Sequence, residues 1–156
     1  MPVGAVAVLD EVIVGFAYWR FRSDVLLDHA ELLALRTAEK HRRICGRRPD
    51  VTLYTTLEPC LLCMGAAMSF MLGRIVFALE APYDGASNVT EVWQPTLGFP
   101  PAGFRTFSTP EIVRGVCRGE ALALMHRYVE RNRDTAWLQA MLPGFSYPGE
   151  SATERT

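Results

Sequence analysis

The sequence predicts an α/β domain, and three observations carry that prediction. Two β-rich runs, VGAVAVL (3–9) and VIVGFAYWRF (12–21), stand back to back with only Asp10 and Glu11 between them. A strand-length run, VTLYTTL (51–57), is followed by an apolar helix, CLLCMGAAMSFML (60–72), and a second strand, RIVFAL (74–79). A strand–helix–strand unit of this kind crosses over right-handed and leaves its two strands parallel. The chain has 156 residues, 49% of them hydrophobic, which suits one domain with a substantial core and excludes an intrinsically disordered chain.

The two N-terminal runs read as a hairpin, although Asp-Glu is not a preferred pair for a two-residue turn. Residues 28–44, DHAELLALRTAEKHRRI, are rich in strong helix formers and stop before Gly46, with Asp28 as the expected N-cap. The run at 51–57 has the β-branched character and length of a buried strand. The helix at 60–72 is apolar nearly all round, opens after Pro59 and stops at Gly73, so it should be buried. Residues 81–110 are rich in proline and glycine without a period, a long loop of the sort that often carries function. EIVRGV (111–116) is a fifth strand, RGEALALMHRYVERN (118–132) a helix and DTAWLQAML (134–142) another. A single domain is expected over 1–142, with a disordered tail over 143–156.

The net charge of −1 supplies no overall basic field that would draw the chain to nucleic acid or membrane. The N-terminus lacks the basic region of a signal peptide, and its apolar run is broken by Asp10 and Glu11. No stretch reaches the roughly 18–20 apolar residues needed to span a bilayer. A cytoplasmic protein with reduced thiols is expected, so Cys45, Cys60, Cys63 and Cys117 are not read as a disulfide framework.

The segment TLEPCLLCMG (56–65) carries the first chemical signal. Cys60 and Cys63 are three apart, so they share one helix face, and a helix N-terminus favours the thiolate form. Taken alone, the pair serves equally as a redox couple, a metal half-site or two small core residues. His29 and Glu31, in HAE at the start of another helix, break the tie. His29 adds an imidazole to make a Cys₂His donor set. Three protein ligands leave the fourth tetrahedral position to water, which marks catalytic rather than structural zinc. Glu31 need not bind metal, but it can reach that water and shuttle its proton to a ring nitrogen and then to leaving ammonia. The pairing H-x-E…P-C-x-x-C is the zinc deaminase signature.

The segments PVGAV (2–6), HAELLALR (29–36), LYTTLEPCLLCMGA (53–66) and GRIVFAL (73–79), and more weakly DGAS (84–87) and EIVRGVCRGEALAL (111–124), occur in family order. On these the chain resembles the cytidine deaminase-like superfamily, and within it the tRNA-adenosine/guanine deaminase branch. The resemblance implies a three-layer α/β/α sandwich with a five-stranded mixed sheet. It implies one Zn²⁺ per chain held by His29, Cys60 and Cys63, Glu31 as catalytic proton shuttle, and backbone N–H groups near Ala30 and Cys60 holding the base. It also implies a homodimer, with a heterodimer as the other arrangement. The activity implied is hydrolytic deamination of a nucleobase amine, by default the wobble adenosine of tRNA to inosine. Deamination of a free base or nucleoside (guanine, cytosine or cytidine) is the alternative. A CxxC thiol redox protein and an inactive zinc partner subunit are the readings from other classes; retention of Glu31 argues against the second.

Three features depart from the branch's pattern. Its members carry a helix ahead of PVGAV, where this sequence has Met1; unless an upstream segment, a C-terminal helix or a partner covers that sheet face, an apolar patch should show. The branch places an asparagine near the end of the second strand, where this chain has Tyr18, in reach of the substrate by the same count. The loop 81–110 is lengthened, its segment SNVTEVWQPTLGFPP (87–101) has no close match in the branch, and Asp84, Asn88 and Trp93 are its candidate substrate contacts. The basic cluster Lys40, His41, Arg42, Arg43, Arg47 and Arg48, and Arg127, Arg131 and Arg133 later, reads first as solvated helix surface and second as a phosphate contact.

Overall fold

The computed structural model describes residues 1–20, 25–93 and 106–132, with 140 and 143. Strands β1 (Gly4–Leu9) and β2 (Val12–Tyr18) form the expected antiparallel hairpin. Asp10 and Glu11 both lie in the left-handed region, at φ 49° and 62°, as a two-residue turn between right-twisted strands demands. Neither residue is glycine or asparagine, so the turn needs outside support. Arg47 supplies it, donating from Nη1 and Nη2 to the two carboxylate oxygens of Asp10 at 2.6 and 3.0 Å.

β3 (Thr52–Leu57) pairs antiparallel with β1, β4 (Arg74–Leu79) parallel with β3, and β5 (Glu111–Val113) parallel with β4. The result is a five-stranded mixed sheet in the order β2-β1-β3-β4-β5. Helix α1 (Ala30–Glu39) follows the hairpin, α2 (Leu61–Phe70) makes the β3-to-β4 crossover, the short α3 (Val89–Val92) sits within the long loop, and α4 (Arg118–Arg131) follows β5.

Several boundaries differ from the sequence-based expectation, each for a local reason. The helix expected over 28–44 runs only from Ala30 to Glu39, and Asp28 does not cap it. The N-cap is His29, whose backbone is extended (φ −71°, ψ 146°) and whose side chain makes no cap bond. At the other end His41 is extended, and the chain continues through two 3₁₀ turns, Arg42–Ile44 and Arg48–Asp50. The second helix begins after Cys60 and is closed by Met71 at φ 65°, before Gly73 is reached. β5 is shorter than 111–116, because Gly115 at φ 77° turns the chain out of the sheet towards α4. The stretch 94–105, the expected helix at 134–142 apart from residue 140, and the expected tail at 143–156 apart from residue 143 lie outside the described residues.

The register gives the sheet two distinct rows. Gly15, Ala7, Leu53, Ile75 and Ile112 line up across the strands on the face covered by α1 and α2. Gly15 allows α1 to come this close: a Cβ there would stand 2.3 Å from the Ala34 carbonyl oxygen. Phe16, Val6, Tyr54, Val76 and Val113 line up on the opposite face. That face is roofed only in part by α4. Val116, Ala121 and Leu124 join Val6, Phe16, Tyr54 and Val76 around an apolar groove of about 500 Å³. Phe16 is 66% exposed and Tyr54 45%, so the apolar patch expected from the sequence is present. Among the described residues no helix is long and apolar enough to cross a membrane.

Candidate metal centre

The N-termini of α1 and α2 converge at one corner of the covered face. His29 and Cys60 are the two N-cap residues, both with extended backbone, and Cys63 lies one turn into α2. His29 Nδ1 is 3.4 Å from Cys60 Sγ and 3.5 Å from Cys63 Sγ. All three donor atoms lie within 4.8 Å of one another. Tetrahedral zinc with Zn–S of about 2.3 Å and Zn–N of about 2.05 Å separates its sulfur and nitrogen ligands by about 3.6 Å. The donor set therefore fits zinc in both chemistry and spacing, with one coordination position left open.

The two thiols are unlike each other. Cys60 is half-buried and its pKa is lowered to about 5, first because the Cys63 thiol donates to it, and further by the backbone N–H groups of Cys63 and Leu62 and by His29. Cys63 is buried and its pKa is pushed up, first because it donates to Cys60 and then by burial and by the neighbouring Glu31. A cation bound here would take both sulfurs as thiolates and displace the protons they carry.

Glu31 is only 4% exposed, and burial pushes its carboxyl pKa up. The Cys63 thiol stands 3.6 Å from its Oε2, which places the carboxyl against the donor set without making it a member. Its Oε1 is 3.1 Å from Thr55 Oγ1, which is also 3.1 Å from the Leu57 carbonyl oxygen. One hydroxyl proton can serve only one of these acceptors at a time. An ionised Glu31 receives it; a protonated Glu31 can donate to Thr55 Oγ1 while Thr55 turns its proton to Leu57. Thr55 thus satisfies the carboxyl in either state. It stands in the quoted LYTTLEPCLLC segment, yet the sequence reading assigned it no role. Its signal was a buried hydroxyl on the alternation Leu53–Thr55–Leu57.

The structure brings His29, Glu31, Cys60, Cys63 and the buried Ala30 together, and sets other candidates apart. Gly85 pairs with Cys60 in an isolated bridge, so exposed Asp84 is one residue from the metal corner. Asn88 is exposed at the N-cap of α3. Trp93 packs edge-on to Phe107, with ring centroids 4.6 Å apart. Together with Leu61, Gly65, Met68, Ser69 and Val89 these rings line a cavity of about 240 Å³ on the side of α2 away from Cys63. Tyr18 shares the Phe16 face of β2; its hydroxyl accepts from Arg20, whose guanidinium lies 4.5 Å over its ring. No described contact joins Tyr18 or Trp93 to the donor set. Two members of the basic cluster are tied up in ion pairs, Arg47 to Asp10 and Asp50, and Arg48 to Glu39.

Residues 1–79 match the family described as the cytidine and deoxycytidylate deaminase zinc-binding region. The chain belongs to this family. His29, Cys60 and Cys63 all fall within the matched segment. The tRNA-specific adenosine deaminase of Agrobacterium fabrum is 30% identical over 139 residues, covering 85% of this chain and 83% of that protein. A solved structure from a study of A-to-I editing by tRNA:A34 deaminases at the wobble position superposes with a TM-score of 0.59 at 28% identity, covering 78% of this chain and 83% of that one. The tRNA(Ile)-lysidine synthase of Deinococcus radiodurans is 39% identical over 106 residues, 62% of this chain. This chain spans only 18% of that protein, and about half of several other curated relatives.

Proposed function

We propose that this protein is a zinc-dependent hydrolytic deaminase that replaces the exocyclic amine of an adenosine, at the wobble position of a tRNA, with the carbonyl oxygen of inosine. One observation carries the chemistry: a Cys₂His donor set with an open position stands against a buried, unligating carboxyl. A purely structural site has no use for Glu31. The names of the relatives support adenosine in tRNA as substrate.

Zinc held by His29, Cys60 and Cys63 would acidify water at its open position and so supply a nucleophile at neutral pH. Glu31 is the proton carrier. Burial raises its proton affinity towards the working pH, where a general acid–base is most effective. Thr55 holds the carboxyl in place through both protonation states. The Ala30 N–H, in the first turn of α1, has no partner within that helix, and the N-terminus it belongs to favours negative charge developing on the base. Asp84 is assigned to the reacting nucleoside. Tyr18, Asn88 and Trp93 are assigned to parts of a polynucleotide lying beyond it. The reading carries with it a homodimer and a cytoplasmic site of action, where tRNA is found.

The test is elemental analysis of the purified chain, followed by ammonia release from an anticodon stem-loop with adenosine at the wobble position. Adenosine, guanine, cytosine and cytidine serve as comparison substrates. About one zinc per chain and turnover of the stem-loop are expected. A metal-free native protein would sink the proposal. Turnover of a free base or nucleoside alone would keep the chemistry and move the substrate.

A further inference from the structure

We infer that Glu58 is a positioning residue whose carboxylate holds the loop Ala81–Ser87 as a wall beside Cys60, and that this wall sets how the substrate sits. The inference rests on the deaminase reading and names a residue that reading does not use. Glu58 lies between the end of β3 and Pro59, two residues before a metal ligand. Its described hydrogen bonds all come from the loop and none from the donor set. Oε2 accepts from the Ala81 N–H at 3.1 Å, and Oε1 accepts from the Ser87 N–H at 3.0 Å and the Ser87 hydroxyl at 2.5 Å. The two ends of the loop are thus tied to one side chain.

The loop is shaped around that carboxylate. A Cβ at Gly85 would stand 2.3 Å from Glu58 Oε2 and 2.8 Å from the Ala81 carbonyl oxygen, and the backbone oxygen cannot swing aside, so the close packing of the loop on Glu58 favours glycine here. The near side of the loop is laced to the metal-bearing segment: the Ala86 N–H donates to the Pro59 carbonyl at 3.0 Å, and Gly85 pairs with Cys60. Ser87 is 2% exposed, and its hydroxyl accepts from Arg114 at 3.1 Å while donating to Glu58. Tyr83, 71% exposed, and Asp84 stand on the outer rim. A side chain that only filled space would not need three donors converging on it from both ends of one loop. A ligand-supporting side chain would instead point at His29, Cys60 or Cys63.

Glu58→Gln keeps the shape and replaces one acceptor oxygen with an NH₂ group that must face an N–H. Zinc content should stay at the wild-type level. The kcat/KM on the stem-loop should fall by about 10- to 100-fold, carried mainly by kcat, as expected when a bound reactant is misplaced by about an ångström. Amide hydrogen exchange should quicken at Ala81 and Ser87 and not in β3 or α2. Ser87→Ala, which keeps the backbone bond, should give a smaller change in the same direction. Glu111→Gln, which removes an exposed ion pair to Arg74, should change none of these. Wild-type kinetics in Glu58→Gln, or activity lost in step with zinc, would overturn the inference. Amide exchange needs no substrate. An inactive wild type with the expected exchange pattern would therefore count against the deaminase reading alone, and unchanged exchange at Ala81 and Ser87 against the role of Glu58.

Discussion

The two faces of the sheet are built from the same strands and meet opposite fates. Leu53 and Tyr54 are neighbours in β3; Leu53 is fully buried under the helices, whereas Tyr54 is 45% exposed on the open side. The covered face carries small and aliphatic residues that let α1 and α2 approach closely, and their N-termini meet at its corner. Burial by those helices also withholds water from Glu31 and raises its pKa. The open face carries an apolar groove, yet among the described residues it holds no cluster of metal-ligating side chains. Apolar surface alone does not make a reactive site. Two helix ends and a desolvated carboxyl brought to one point do.

The sharpest break of this comparison is at the donor set. His29→Ala or Cys63→Ala should abolish both zinc binding, read by elemental analysis, and ammonia release. Glu31→Gln should retain zinc and lose about 10²- to 10⁴-fold in kcat, the usual contribution of a positioned acid–base. Equal turnover would remove Glu31 from the chemistry. Leu53→Ala on the covered face should destabilise by about 2–5 kcal/mol in denaturant unfolding, the cost of a core cavity. Phe16→Ser on the open face should change stability by less than about 0.5 kcal/mol. A cost at Phe16 as large as that at Leu53 would show that the open face is covered in solution.

The smallest effect is expected at the rim, in the turn that joins the two outer strands. Hydrogen bonding from Arg47 holds the Asp10 carboxyl below its usual pKa. A depressed carboxyl contributes stability above its unfolded value, about 3.9, and loses it as pH falls through the folded value. Arg47→Ala should therefore lower the thermal midpoint slightly at neutral pH and leave it unchanged at acid pH, flattening a shallow acid-side decline; the shift is small because the pair is exposed.

Much of this molecule is written locally. The spacing of Cys60 and Cys63, the pairing of His29 with Glu31, the strand runs and the apolar crossover helix were legible because each depends on residues a few positions apart. Those patterns pointed to the donor types, to a hairpin and to one parallel strand–helix–strand unit; the five-stranded mixed sheet was what the family resemblance implied. What local pattern could not supply was which groups meet through space. His29 takes the N-cap that Asp28 was expected to hold, and its ring faces sulfurs 31 and 34 residues away. Thr55 and Glu58 stand in a motif whose cysteines drew the attention, and their partners, Glu31 for one and Ala81 and Ser87 for the other, are apparent only once β3, α1 and the loop are packed. Trp93, close in sequence to the loop that borders Cys60, ends on the far side of α2. The sequence by itself determined which side chains could bind a metal and move a proton. Only the tertiary structure decided that they stand together at one buried corner, because burial and convergence are properties of packed elements and not of any single one.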